Sequence, residues 1–245
     1  MVKIVAPLIS LEDVTKTYLM GTVPVNAVAG VSFNVEEGEL LSVVGPSGSG
    51  KSTLMNILGC LDVPSNGAYR LEGDDVGNLS DNQLAQVRGR KIGFIFQTFN
   101  LLPRLSAVAN VQLPLLYSGG KDSRRRSMAA LERVGLGQRL THRPTELSGG
   151  EQQRVGIARA LVKDPSIILA DEPTGNLDTQ SGKDIMEILH ALHDEEGITV
   201  LIVTHDPEVA ASTDRVVSMR DGSLVADQTS EEYVQERRLA ARESL

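Results

Sequence analysis

The sequence predicts an α/β protein with a mostly parallel core sheet, an antiparallel β-lobe at its N-terminus and a helical insertion near its middle. Three observations carry this. Apolar residues make up 41% of the chain, aromatics only 3%, and Trp is absent. The core is therefore aliphatic, as in parallel strands covered by helices. Two runs, ELLSVVG (39–45) and SIILADE (166–172), are almost continuously apolar, the pattern of strands buried on both faces. Between them, over residues 99–161, strand signals give way to helical periodicity, broken at Pro103, Gly119, Gly120 and Pro144.

The elements follow in order. LISLEDVTKTY (8–18) and VNAVAGVSFNV (25–35) alternate with period two around a loop holding Gly21 and Pro24, and form the β-lobe. The buried strand over 39–45 leads through a glycine loop into a helix, KSTLMNILGCL (51–61), with an apolar face at Leu54, Ile57, Leu58 and Leu61. KIGFIFQ (91–97) is a further strand. After the insertion, strand 166–172, helix 181–197 and strand ITVLIVTH (198–205) restore a βαβ rhythm. RVVSMRDGSLVAD (215–227) is a hairpin on Asp221-Gly222, and SEEYVQERRLAARESL (230–245) a charged helix or frayed end. The expected organisation is one domain over 1–245. Its core with the β-lobe is 1–98 and 162–228, its helical subdomain 99–161 and its tail 229–245.

Composition excludes several classes. A net charge of −8 suits general nucleic-acid binding poorly, because phosphates are neutralised by clustered Lys and Arg. Few aromatics leave no stacking surface for single strands. Cys60 is the sole cysteine, so no intrachain disulfide forms, and it is expected as a small core residue. No apolar run reaches 18 residues, and MVKIVAPLIS is too short in its apolar part for a signal peptide. The expected chain is soluble and cytoplasmic. His190 and His193 read as part of a solvated helix end rather than a metal site, and Arg124 to Arg126 as a solvated face.

GPSGSGKS (45–52) matches G-x-x-x-x-G-K-[ST] with a strand before it and a helix after it. Such a loop turns its backbone N–H groups around phosphate oxygens at a helix N-terminus. The candidate phosphate-binding residues are Gly45, Pro46, Ser47, Gly48, Ser49, Gly50, Lys51, Ser52 and Thr53. Lys51 is expected on the β- and γ-phosphates of ATP and the Ser52 hydroxyl on Mg²⁺. In SIILADEP (166–173), Asp171 would hold Mg²⁺ through water. Glu172, expected to point away from the metal along the strand's alternation, would orient and deprotonate an attacking water. That pair favours hydrolysis over the phosphoryl transfer of a P-loop kinase.

LSGGEQQR (147–154) holds a second glycine cluster. Ser148 and Glu151 form a capping box. Gly149 and Gly150 weaken the first helical turn by about 1 kcal/mol each, and offer bare N–H groups to a bulky anion. One chain with one phosphate loop and one such helix start predicts two copies packed head to tail. Each glycine helix would then close on the γ-phosphate held by the other copy.

With these motifs the sequence resembles the ATP-binding cassette family of transport ATPases over essentially its whole length, LSGGEQQR being similar to the family's signature. The resemblance implies that Tyr18 stacks on adenine and that Gln97 contacts Mg²⁺ and the attacking water. It further implies that Asp178, in GNLD (175–178), lies along the dimer interface, that His205 contacts the γ-phosphate, and that Glu172 is the catalytic base. FIFQTFNLLPRLSAVANVQLPL, ADEPTGNLD and VTHDPEVA resemble the lipoprotein-release and macrolide-export ATPases and a related cell-division ATPase. This implies an integral membrane permease as partner and a peripheral position on the cytoplasmic face of the cell membrane. The apolar residues Phe99, Leu101, Leu102, Pro103 and Leu105 are then expected to form a groove for a short helix of that permease. A division or sensing cassette that moves no cargo is the alternative. A soluble cassette acting on nucleic acid is disfavoured by the acidic charge, the single cassette and the lack of heptads.

Overall fold

The computed structural model describes residues 6–116 and 122–243, so the expected breaks at Gly119 and Gly120 and the last two residues of the tail lie outside the described residues. The chain forms two compact units, one up to Ala85 and again from Leu201, the other over Gln86–Val200.

In the first unit, β1 (Ile9–Met20) and β2 (Val23–Val35) pair antiparallel, with Ile9 opposite Val35 and Leu11 opposite Phe33. Ile9, Leu11, Val14, Val31 and Val35 are buried, as the alternation requires. The strand β3 (Leu40–Val44) is buried at all five positions and leads through the glycine loop to α1 (Lys51–Leu58). Leu54, Ile57 and Leu58 face inward as expected, but Leu61 does not, being 50% exposed. Gly59 closes the helix by donating to Met55 O at 2.8 Å. Cys60, buried as anticipated, takes φ +53° and turns the chain before Leu61. Then β4 (Asn66–Leu71) and β5 (Asp74–Asp75) complete an antiparallel sheet in the order β2-β1-β4-β5. NGAYRL is too polar and short to show a clear period, so these strands leave no signal in the sequence.

The chain then crosses into the second unit along α2 (Asp81–Lys91), which buries only Leu84 and so lacks the apolar stripe that would reveal it. After β6 (Ile92–Ile95) come α3 (Ala107–Gln112), α4 (Ser123–Arg133) and α5 (Gly149–Leu161), the expected helical insertion. Buried Asn110 organises the segment before α3. Its Oδ1 accepts from Leu102 N at 2.7 Å, and its Nδ2 donates to the carbonyls of Leu102, Leu105 and Ser106 at 3.1–3.2 Å. Arg126 departs from the expected solvated face: it donates to Val162 O and Asp164, both at 2.8 Å. Next, β7 (Ile167–Asp171) pairs in parallel with β6, Ile92 opposite Ile167. The helix α6 (Thr179–Asp194) buries Ile185, Leu189 and Leu192, one stripe at helical spacing.

All six residues of β8 (Thr199–Thr204) are buried, and from Leu201 the chain is again in the first unit. There α7 (Pro207–Ala211), β9 (Arg215–Arg220), β10 (Ser223–Thr229) and α8 (Ser230–Glu243) follow. The strand order is β10-β9-β3-β8, with β3 and β9 parallel. The hairpin turn has positive φ at both Asp221 (50°) and Gly222 (82°), as a tight turn matched to strand twist demands. The Arg215 guanidinium forks onto Asp227 with two 2.6 Å bonds and reaches Glu39 at 2.8 Å. The tail is a docked helix rather than a frayed end: Tyr233 is buried with Val44, Ala210 and Val216.

Candidate functional site

In the first unit, β3 delivers the glycine loop. A Cβ on Gly45 (φ +156°) would lie 2.3 Å from Met219 O, and one on Gly50 (φ +97°) 2.2 Å from Ala27 O. Neighbouring backbone thus approaches the loop more closely than any side chain permits. Around Gly48 (φ +81°) there is open space. Ser49 is 2% exposed and its hydroxyl has no hydrogen-bond partner. A buried oxygen left so costs about 1–3 kcal/mol, a cost a phosphate oxygen would offset. Lys51 Nζ curls over the loop, donating to Gly45 O at 2.7 Å and Pro46 O at 2.9 Å. No acidic side chain sits in the first turn of α1 to neutralise its N-terminal partial charge. These residues fit a bound phosphate chain.

Tyr18 stands on β1 with 36% of its surface exposed, and Thr53 lies in the first turn of α1. His205 is exposed and directly follows β8. Its neighbours brace it: Thr204 Oγ1 accepts from Asp206 N at 3.0 Å, and Asp206 caps α7 by accepting from Glu208 N at 2.8 Å.

In the second unit, Asp171 is the last residue of β7. Glu172 does not continue the alternation as expected, because its φ is +45°. Left-handed backbone ends the strand, and Gly175 N donating to Glu172 O at 3.0 Å closes a turn over 172–175. A non-glycine residue held so is strained, and such strain concentrates at functional sites. Gln97 meets this turn: a Cβ on Gly175 would lie 2.8 Å from Gln97 Nε2, and Asn176 Nδ2 donates to Gln97 O at 2.9 Å.

Two side chains of α5 hold the same loop. Buried Gln153 donates to Phe96 O at 3.3 Å and Pro173 O at 2.7 Å. Arg159 donates to Phe99 O at 2.7 Å and Asn100 O at 2.5 Å, two residues with φ near +50°. Burial pushes its guanidinium pKa down, yet the carbonyl pair keeps its donors bonded. Sequence reasoning missed Gln153, Arg159 and Asn176, because side chains that bond backbone carbonyls leave no spacing signal.

The start of α5 is the expected capping box. Ser148 Oγ accepts from Glu151 N at 3.2 Å, and Glu151 Oε2 accepts from Ser148 N at 2.8 Å. The glycine pair also packs against neighbouring elements. A Cβ on Gly150 would come within 3.0 Å of Ser181 Oγ and 3.1 Å of Ser181 Cβ. Close packing of α6 is therefore a further demand on Gly150 within one chain. Gly149 makes only ordinary contact, 3.4 Å to Leu177 Cδ2. Asp178 is the N-cap of α6, and its hydrogen bonds to the Ser181 hydroxyl and N–H hold its carboxyl pKa below the usual range.

The Glu151 carboxyl is lowered by the Ser148 N–H, against the opposing effect of burial and with help from Arg139. A carboxylate whose folded-state pKa is depressed adds stability above its unfolded pKa and loses it as pH falls through the folded value. Glu151→Gln should therefore flatten the acid limb of the stability curve below the ordinary value of 4.5. Melting temperatures from pH 7 down to pH 3 report this, and parallel curves for the two proteins would rule the contribution out.

A family profile described as ABC transporter matches residues 28–175. This chain belongs to the ABC transporter family. The cassette is 56% identical over 216 residues to an uncharacterized ABC transporter ATP-binding protein of Thermotoga maritima, covering 87% of this chain and 92% of that protein. It is 52% identical over 221 residues to the macrolide export ATP-binding/permease protein MacB of Syntrophobacter fumaroxidans, covering 89% of this chain. The cassette spans only 31% of that relative's length. Among solved structures it is similar to the ATP-binding cassette MJ0796, described as a dimeric post-hydrolysis state bound to ADP and Pi. There the identity is 44%, the TM-score 0.83, and the cover 91% of this chain and 98% of that one. The cassette is an ATP-hydrolysing enzyme of the ABC class, and Mg²⁺ is the metal expected with its ATP. No helix among the described residues is long and apolar enough to cross a membrane.

Proposed function

We propose that this cassette is the motor subunit of a transport or mechanotransmission complex. Two copies would enclose two ATP, the 147–154 turn of each completing the phosphate site of the other. Closing expels water and strengthens every charge interaction inside. Lys51 and the loop amides neutralise the phosphates, Glu172 takes the proton of the attacking water, and His205 holds the γ-phosphate. Ser52, Gln97 and Asp171 would hold Mg²⁺, which when bound supplies charge neutralisation at the phosphate oxygens. Support for the two-copy reading comes from the dimeric description of MJ0796. Asp178, which caps α6, would lie along that interface.

The membrane partner would be an integral permease engaged from the cytoplasmic face, a reading supported by the export and permease names of the relatives. The observation that carries it is segment 99–105. Leu102 is 49% exposed and Pro103 also faces outward, while Phe99, Leu101 and Leu105 are half-buried. Asn110 braces this segment, and Arg159 ties its Phe99 end to α5, whose Gln153 also holds Phe96 O and Pro173 O beside Gln97 and Glu172. An apolar surface anchored this way can pass a push to the hydrolytic loop. Leu102→Asp should lower co-sedimentation with membrane vesicles from the native cells by about tenfold and leave basal ATP turnover within about twofold. Undiminished co-sedimentation would place the docking surface elsewhere.

A further inference from the structure

Tyr18 is held by a network that no motif contains. Lys16 and Tyr18 lie two apart on β1, where the register with β2 shifts between Val14 and Lys16 and again between Lys16 and Thr17. Such bulges re-aim side chains. Lys16 Nζ sits 5.2 Å from the centroid of the Tyr18 ring, within cation–π range. Both side chains converge on Asp62, just beyond α1. Lys16 Nζ donates to Asp62 Oδ1 at 2.5 Å and to Val63 O at 2.8 Å, and the Tyr18 hydroxyl donates to Asp62 Oδ2 at 2.8 Å. Asp62 Oδ1 also accepts from Val63 N at 2.8 Å. Hydrogen bonds from Lys16 and Tyr18 outweigh the effect of burial and keep the Asp62 carboxyl pKa below the usual range. The Thr53 hydroxyl, in the first turn of α1, acts on the same phenol oxygen.

Lys16 is held with only 12% of its side chain exposed, so the cation stays on the ring. The phenol is tethered at its hydroxyl end and flanked by a fixed charge, while 36% of the residue stays open. A ring so fixed has lost its rotamer freedom before any ligand arrives, which is the benefit of preorganisation. A charge-polarised ring also favours a neutral, electron-rich aromatic partner.

We propose that Asp62, with Lys16, is a positioning residue that locks the Tyr18 ring as a preformed platform for the purine base of the nucleotide. The proposal rests on the reading of Tyr18 as the base-stacking residue. Breaking the tether should weaken base binding and leave the phosphate chemistry untouched.

The test compares Tyr18→Ala, Tyr18→Phe, Asp62→Ala and the Tyr18→Ala/Asp62→Ala double variant in steady-state ATP hydrolysis, with tripolyphosphate as a competing ligand that lacks a base. Asp62→Ala should raise KM for ATP about fivefold and Tyr18→Phe about threefold, with kcat within about twofold. The tripolyphosphate inhibition constant should stay unchanged in all four. On the Tyr18→Ala background, Asp62→Ala should add less than about twofold. Tyr18→Phe leaves the Val63 contacts of Asp62 intact, so it reads the tether even if Asp62→Ala perturbs folding. An unchanged KM in Tyr18→Phe, a full Asp62→Ala effect on the Tyr18→Ala background, or equal loss of tripolyphosphate inhibition would each overturn the tether. An unchanged KM in Tyr18→Ala would instead overturn the stacking reading itself, and the tether with it.

Discussion

Glu172→Gln is expected to stop turnover while sparing ATP binding, with hydrolysis falling by about 10²–10⁴-fold, the range for loss of a general base. The substitution is nearly isosteric. It leaves the turn over 172–175 intact, because that turn is closed by a backbone bond, Gly175 N to Glu172 O. The strain at φ +45° is likewise unchanged. What disappears is a carboxylate able to take a proton from water. If two copies enclose the nucleotide, the variant should accumulate as an ATP-bound dimer, since the step that separates the copies no longer occurs. Size-exclusion chromatography with and without MgATP reads this directly. A persistent monomer at saturating nucleotide would exclude the two-copy site, and near-normal turnover would remove Glu172 from the chemistry.

Lys51→Ala should act on the other half of the problem, weakening nucleotide affinity by about 100-fold, or about 3 kcal/mol. Its ammonium is the charge most directly available to the phosphates. It also braces the loop through Gly45 O and Pro46 O. Removing it leaves two carbonyls without that donor beside Ser49, whose hydroxyl already lacks a protein partner. Titration calorimetry with ATP in the presence of Mg²⁺ separates the two variants: Glu172→Gln should bind as the parent does and Lys51→Ala about 100-fold more weakly. Equal affinities would mean that the loop amides alone carry phosphate recognition.

How much of this was legible beforehand depended on whether a residue's role follows a period. Strands with continuous or alternating apolar runs, such as β3, β7 and β8, were visible because burial writes the pattern directly. The polar helix α2 and the short strand β4 were not, since each buries too few apolar side chains to leave one. Leu61 shows the limit of pattern alone. It sits at the right interval for the α1 stripe, but the turn at Gly59 and Cys60 removes it from the helix. The capping box at Ser148 and Glu151 was readable because both partners lie within one turn. The Asp62 tether is not, because Lys16, Tyr18 and Asp62 meet only after the β-lobe has folded onto the end of α1.

The chain's own sequence determined the phosphate loop, the Asp171-Glu172 pair, the start of α5 and the family to which they belong, since each is a local grouping whose chemistry needs its members side by side. Only the tertiary structure decided that Gly150 is needed for the approach of Ser181, that Glu172 leaves its strand in a left-handed turn, and that Gln153, Asn176 and Arg159 hold the loop around Gln97 through its carbonyls. Those facts depend on which backbone groups come within about 3 Å of each other, and no spacing along the chain encodes that distance.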